Sequence, residues 1–329
     1  MKQKRKGFQF NFNLALILIL VVLFCGIALI NNVFLSPDYL IGVMLRNIVE
    51  IGMMALPVTL IVITGGIDLS VGSTMVLSAM IGGMVAVNAG SFWGLVACIA
   101  TGAACGLFNA LLIAKVKISP LVATLATMYL YMGIARSISR GDSVYAYPAA
   151  EFLGNKVLWG VPIQIYLYAA LALVFWFVLS KTTLGRKLFA VGLNENATRY
   201  CGIDTDRVKI LIYLFSGMIC ALAGLIFLGR FTSIKYDAGT SLGLKVVTII
   251  VLGGTSILGG VGDMRGTILA ALIIAVLNSG LTVLGIPNDM QTIVHGLILV
   301  ISLVSYAIFN ERARLSRIIE PSATKTAAS

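Results

Sequence analysis

Few residues in this chain could carry chemistry, and their types exclude most reactions. Its 329 residues contain one histidine, His295, and 13 carboxylates. A lone histidine cannot form an H-E-x-x-H metal site, and no cluster of acids stands in for one. Five cysteines, Cys25, Cys98, Cys105, Cys201 and Cys220, are scattered without a C-x-x-C pair. Neither a metal site nor a disulfide framework is expected. The Gly-rich stretch VLGGTSILGGVGDMRGT, residues 251–267, invites a nucleotide reading. Phosphate cradling needs G-x-x-x-x-G-K-[ST], or G-x-G-x-x-G between a strand and a helix, and neither occurs. The chain is therefore expected to have no catalytic residues and no cofactor of its own.

What remains is polar contact within apolar surroundings. Glu50 lies in the second apolar segment, and an ionisable group in a span is a functional candidate by default. With Asn109 and Asn278 it forms the candidate set for a solute path. The competing reading for the two amides and for His295 is an interhelical hydrogen bond. In ITGGIDLSVGS, residues 63–73, Gly65 and Gly66 permit close backbone geometry, while Asp68 and Ser70 can cap the helix that follows. Contact with a solute or partner is the alternative for Asp68. In the second stretch Gly253, Gly254, Gly259 and Gly260 would let helices approach or bend.

These groups are set in a chain that is 59% hydrophobic and 11% charged, with a mean hydropathy of +1.00. Such a composition makes it an all-α polytopic membrane protein. A span needs about 20 mostly apolar residues, and ten segments qualify: 14–30, 47–64, 71–89, 92–114, 118–138, 163–180, 209–229, 243–258, 266–284 and 289–309. The eighth is short and runs into glycines, so it is expected to be broken or re-entrant. With the N-terminus inside, 17 of the 24 Lys and Arg residues fall on inner segments. Both termini are thus expected to be cytoplasmic, with residues 1–13 a basic lead-in, 14–309 the membrane domain and 310–329 a tail. That bias also argues against nucleic acid as the partner of the +11 net charge.

The longest inner loop, 181–209, is the main candidate for outside contact. Asn194 is a good N-cap, Glu195 suits the first turn and Gly202 suits a left-handed stop, which predicts a helix over 195–201 with Arg199 and Tyr200 pointing outward. The largest outer connection, 139–162, reads as an ordered loop and a docking surface, or as a plain link.

AVGLNENATRYCGI, followed by YLFSGMICALAGL, resembles the "G-N-x-x-A-x-x-x-G-I … S-G-x-x-A-x-L-A-G" signature of ribose-type ABC importer permeases. GGIDLSVG and VLGGTSILGGVG are similar to two further motifs of that family. The resemblance implies a type II ABC importer-like permease of the ribose, xylose, rhamnose and autoinducer-2 group in a bacterial inner membrane. ATP and Mg would be held by a separate ATPase, and a binding protein would deliver a sugar-like solute. Asn194, Glu195, Ala197, Arg199 and Tyr200 would then form a coupling helix docked on the ATPase. ALPVTLIVITGGIDLSVGST and VLGIPN lean toward the autoinducer-2 or rhamnose type. Gly243 and Lys245 stand where many relatives carry two acids in "G-x-E-L-D-x-I-A-A". That departure points to a heterodimer with a second permease, a homodimer being the alternative. An ion-coupled secondary carrier is the competing function, weakened because Glu50 and Asp68 both lie near helix ends.

Overall fold

Apolar stretches in a bilayer must satisfy every backbone N–H and C=O internally, and helices do so within one segment. The computed structural model describes residues 12–287, 290–302 and 304. Among these, eight helices are long and apolar enough to cross a membrane: α1 (Phe12–Ile30), α2 (Pro37–Ile63), α3 (Val71–Ala89), α4 (Ser91–Ala114), α5 (Pro120–Ser139), α7 (Ile163–Lys181), α10 (Thr205–Phe231) and α12 (Met264–Val283). Between them lie α6 (Pro148–Asn155), α8 (Thr183–Leu193), α9 (Glu195–Tyr200) and α11 (Leu242–Leu252), and α13 (Met290–Ser302) follows. Two antiparallel pairings of two residues each complete the set: β1 (Val144–Tyr145) with β4 (Ser233–Ile234), and β2 (Val157–Leu158) with β3 (Val161–Pro162).

The ten expected spans thus resolve into eight long helices and two shorter apolar ones, α11 and α13. At about 1.5 Å per residue α11 crosses roughly half of a 30 Å hydrocarbon layer. The expected span 243–258 stops there because the chain turns at Gly253 and Gly254, the latter at φ +83°, and loops to Asp263, which starts α12. The far part of the tenth segment, the tail 310–329 and residues 1–11 of the lead-in lie outside the described residues.

Burial ranks the helices. α2 is enclosed on nearly all sides, whereas α1 is mostly exposed and rests on α12. α10 packs along α4, and also against α2 and α3. The α4–α10 approach depends on small residues, since a Cβ on Gly102 would collide with the Gly217 carbonyl. Residues 182–204 occupy one end of the bundle, here the loop end. The connection 139–162 occupies the opposite end, where it is ordered by α6 and the two pairings, as expected. There Arg46 of α2 donates to the Gly154 carbonyl and to Asn155 Oδ1 at 2.9 Å, and Asn155 donates to the Gly229 carbonyl of α10 at 2.7 Å. The loop therefore straps α2 to α10.

Candidate functional site

Two regions gather the polar residues, one at each end. At the loop end α9 starts where local chemistry directs. Asn194 has extended backbone and its side chain accepts from the Ala197 amide at 2.9 Å, while Gly202 takes φ +82° beyond the last turn. The helix ends at Tyr200, with Cys201 as its cap rather than its last residue. Thr198 donates to the Ala190 carbonyl at 2.8 Å and so fastens α9 to α8.

Ion pairs tie α9 to α10. Glu195 accepts from Lys209 at 2.6 Å, and Arg199 donates to Asp206 at 2.9 Å and to Glu195 at 3.3 Å. Lys117, from the α4–α5 connection, reaches Asp206 at 2.5 Å. The hydrogen bond from Lys117 holds the Asp206 carboxyl below its ordinary value against the opposing effect of burial, and the charges of Lys117, Arg199 and Lys115 add to it. Partial burial pushes Glu195 up, but its bonds and charge contact with Lys209, with Thr205 and Lys117, more than offset that and leave it lowered. Tyr200, in contrast, is 92% exposed.

The two Gly-rich stretches meet under this loop. The Gly260 amide donates to the Ile63 carbonyl at 2.8 Å, joining the end of α2 to the α11–α12 loop. Gly192, in the last turn of α8, wedges between them: a Cβ there would collide with the Ile63 carbonyl and the Gly260 amide. Leu193 lies over Gly260, and Leu193, Leu258 and Val261 leave apolar side chains exposed beside the junction. The last turn of α8 is thereby packed against the backbone of both motifs.

Asp68 and Ser70 sit just beyond, and both are buried. The Asp68 carboxylate accepts from the Ser70 amide at 2.9 Å and from its hydroxyl at 2.7 Å. Ser70, with its hydroxyl committed there, gives α3 no side-chain cap, contrary to expectation. Its oxygen receives Asn109 Nδ2 at 2.8 Å, and Tyr131 donates to Asn109 Oδ1 at 3.3 Å.

At the opposite end a polar cavity of about 270 Å³ opens between α2, α10, α11, α12 and α13. Its size is close to the lower end of small-molecule sites, roughly 300 to 1,000 Å³. Glu50 lines it together with Asn47, Arg230, Lys245, Asn278, Thr282 and Gln291. Arg230 Nη1 donates to both Glu50 oxygens at 3.1 and 3.2 Å and to the Arg46 carbonyl at 2.9 Å, while Nη2 donates to Asn47. Asn278 Oδ1 pairs with His295 Nε2 at 2.6 Å.

The model of the family described as branched-chain amino acid transport system, permease component, matches residues 40–303. The chain belongs to this family. The ribose import permease protein of Bacillus subtilis (strain 168) is 35% identical over 290 residues, covering 86% of this chain and 89% of that one. The autoinducer 2 import system permease protein of Enterobacter sp. (strain 638) is 38% identical over 259 residues, 76% of this chain and 79% of that one. The ribose import permease protein of Escherichia coli (strain K12) is 34% identical over 284 residues, 82% and 87% of the two. No solved structure matches. This chain is accordingly the membrane-spanning permease subunit of an ABC importer, a multi-pass inner-membrane protein that works with an ATPase and a substrate-binding protein.

Within the permease, the expected path residues separate. Glu50 and Asn278 share the cavity, Glu50 midway along α2 rather than near its end as expected because that helix starts at Pro37, whereas Asn109 is 1% exposed and holds helices together at the other end. Arg199 is turned back onto Asp206 and Glu195 instead of pointing freely outward, because two carboxylates lie within its reach. Arg230, Asn47, Thr282 and Gln291 were not singled out in the sequence. Arg230 reads there only as a charge at a helix end, and its partner is 180 residues away.

Proposed function

We propose that this permease carries a sugar-like solute across the membrane, with α9 as the helix that receives the ATPase. In this reading both termini and the loop end face the cytoplasm, in keeping with the distribution of Lys and Arg. The cavity at the opposite end belongs to the outward-facing half of the path, where a binding protein delivers the solute. ATP and Mg reside on the ATPase. The relatives' ribose and autoinducer 2 import support the solute class.

One observation carries the coupling role: Gly192 packs against both Ile63 and Gly260 with no room for a side chain, so a force on α9 reaches the end of α2 and the α11–α12 loop. Leu193, Tyr200, Leu258 and Val261 supply exposed apolar surface for a partner. The second permease chain in this reading is related but different. Two copies of this chain would bring two Lys245 ammonium groups, like charges, to one path, which disfavours the homodimer.

Purification of the intact transporter through a tag on this chain tests the reading. Tyr200→Glu adds a charge to a side chain that no neighbour in the chain needs, so the bundle should persist while the ATPase is lost from the complex. Retention of the ATPase and of uptake would remove α9 from its role. Intact mass of the wild-type complex counts the permease chains, and two copies of this one would refute the heterodimer.

A further inference from the structure

We propose that the cavity lined by Glu50 and Arg230 recognises an oxyanion on the transported solute, a carboxylate or a phosphate, with the Lys245 ammonium as its contact. The proposal rests on the transport reading above and names the chemical class of that solute.

The argument is an inventory of charges and hydrogen-bonding groups. Glu50 is 4% exposed, and both of its oxygens accept from Arg230. Asn47 accepts from the other arm of the same guanidinium, and its Nδ2 donates to Ser279 Oγ at 3.2 Å. This ion pair is neutral in sum and closed on itself. Asn278 Oδ1 is taken by His295, and Gln291 Nε2 donates to Thr282 Oγ1 at 3.2 Å and to the Ile286 carbonyl at 3.0 Å.

Lys245 stands apart from that closure. It lines the cavity from α11, and among the described residues its side chain makes no hydrogen bond or ion pair. Among the lining residues Lys245 offers three ammonium donors and Asn278 an amide, while the acceptors left are Gln291 Oε1 and the lone pairs of Glu50 that Arg230 does not use. Among the described residues the lining therefore carries one positive charge without an ion-pair partner, that of Lys245. A neutral polyol brings donors and acceptors together and leaves that charge unmatched. An oxyanion brings acceptors only, supplies the missing charge and forms the stronger, charge-assisted bonds. In a span such a charge is costly without a partner, and a passing ligand provides one.

The test uses the complete transporter, purified from its host and placed in nanodiscs, with equilibrium dialysis of radiolabelled gluconate against glucose and ribose 5-phosphate against ribose. At least one acid should bind at least tenfold more tightly than its neutral parent. Gluconate preference assigns a carboxylate, and ribose 5-phosphate preference a phosphate. Lys245→Gln should remove the difference and Lys245→Arg should retain it. Equal or tighter binding of both neutral sugars in the wild type would overturn the proposal. So would an unchanged preference in Lys245→Gln, the result expected of a lysine that merely reaches to the membrane surface. ATPase content is measured on each preparation: a complex without ATPase contradicts the transport reading, whereas one with ATPase and no acid preference contradicts the oxyanion alone.

Discussion

The Gly260 amide donates to the Ile63 carbonyl at 2.8 Å, closing the end of a buried spanning helix onto the loop that follows a half-length one. α2 ends there with carbonyls that lack helical partners, and loop amides at that depth lack water. Pairing the two solves both problems at once. It also makes the end of α2 and the α11–α12 loop a single body on which α8 rests through Gly192. The two motifs that looked separate in the sequence are therefore one joint.

Filling that joint should uncouple the transporter without unfolding it. In Gly192→Val the side chain meets backbone on both sides, so α8 must shift; such overpacking costs about 1–3 kcal/mol. Uptake should fall by about tenfold or more, while the ATPase still co-purifies because α9 keeps its surface. Normal uptake in vesicles would show that the contact transmits nothing.

The Glu50–Arg230 pair should act as a stability element of the cavity as well as its wall. Removing one member leaves the other charge buried and unpaired, with a cost of about 3 kcal/mol or more. Thermal unfolding in detergent should place Glu50→Gln and Arg230→Met well below the wild type, and Glu50→Met combined with Arg230→Met above either single variant. A double variant no more stable than the worse single one would contradict a pairing role.

How much of this was legible in the sequence depends on the range of each interaction. α9 was placed within a residue because Asn194 and Gly202 act on their immediate neighbours. The break in the eighth segment was visible for the same reason, since Gly253 and Gly254 interrupt an apolar run. Glu50 was marked by its type, but Arg230 was not, because only the antiparallel packing of α2 and α10 brings it near. Asn109 could not be assigned by type alone, as an interhelical amide and a path-lining amide look identical until the neighbours are known. Its bond to Ser70 decides for the former, and together with the bond to Asp68 it occupies the hydroxyl expected to cap α3.

Acid should loosen the loop end before the bundle. Asp206 and Glu195 are both held below their ordinary values, so their bonds stabilise the folded loop fully above the unfolded carboxylate range, about pH 4, and that contribution is lost as pH falls through the lowered folded values. Amide hydrogen exchange of residues 195–206, followed in detergent from about pH 6 to about pH 2 and corrected for the intrinsic rate, should lose protection in that window. Lys117→Gln removes the largest influence on Asp206 and should move the loss toward higher pH. Because the pairs are partly exposed, each is worth less than about 1 kcal/mol and the effect should shrink in high salt. Protection that stays flat with pH, or a midpoint that Lys117→Gln does not move, would mean that α9 is held by Thr198 and its backbone contacts and that the ion pairs are incidental.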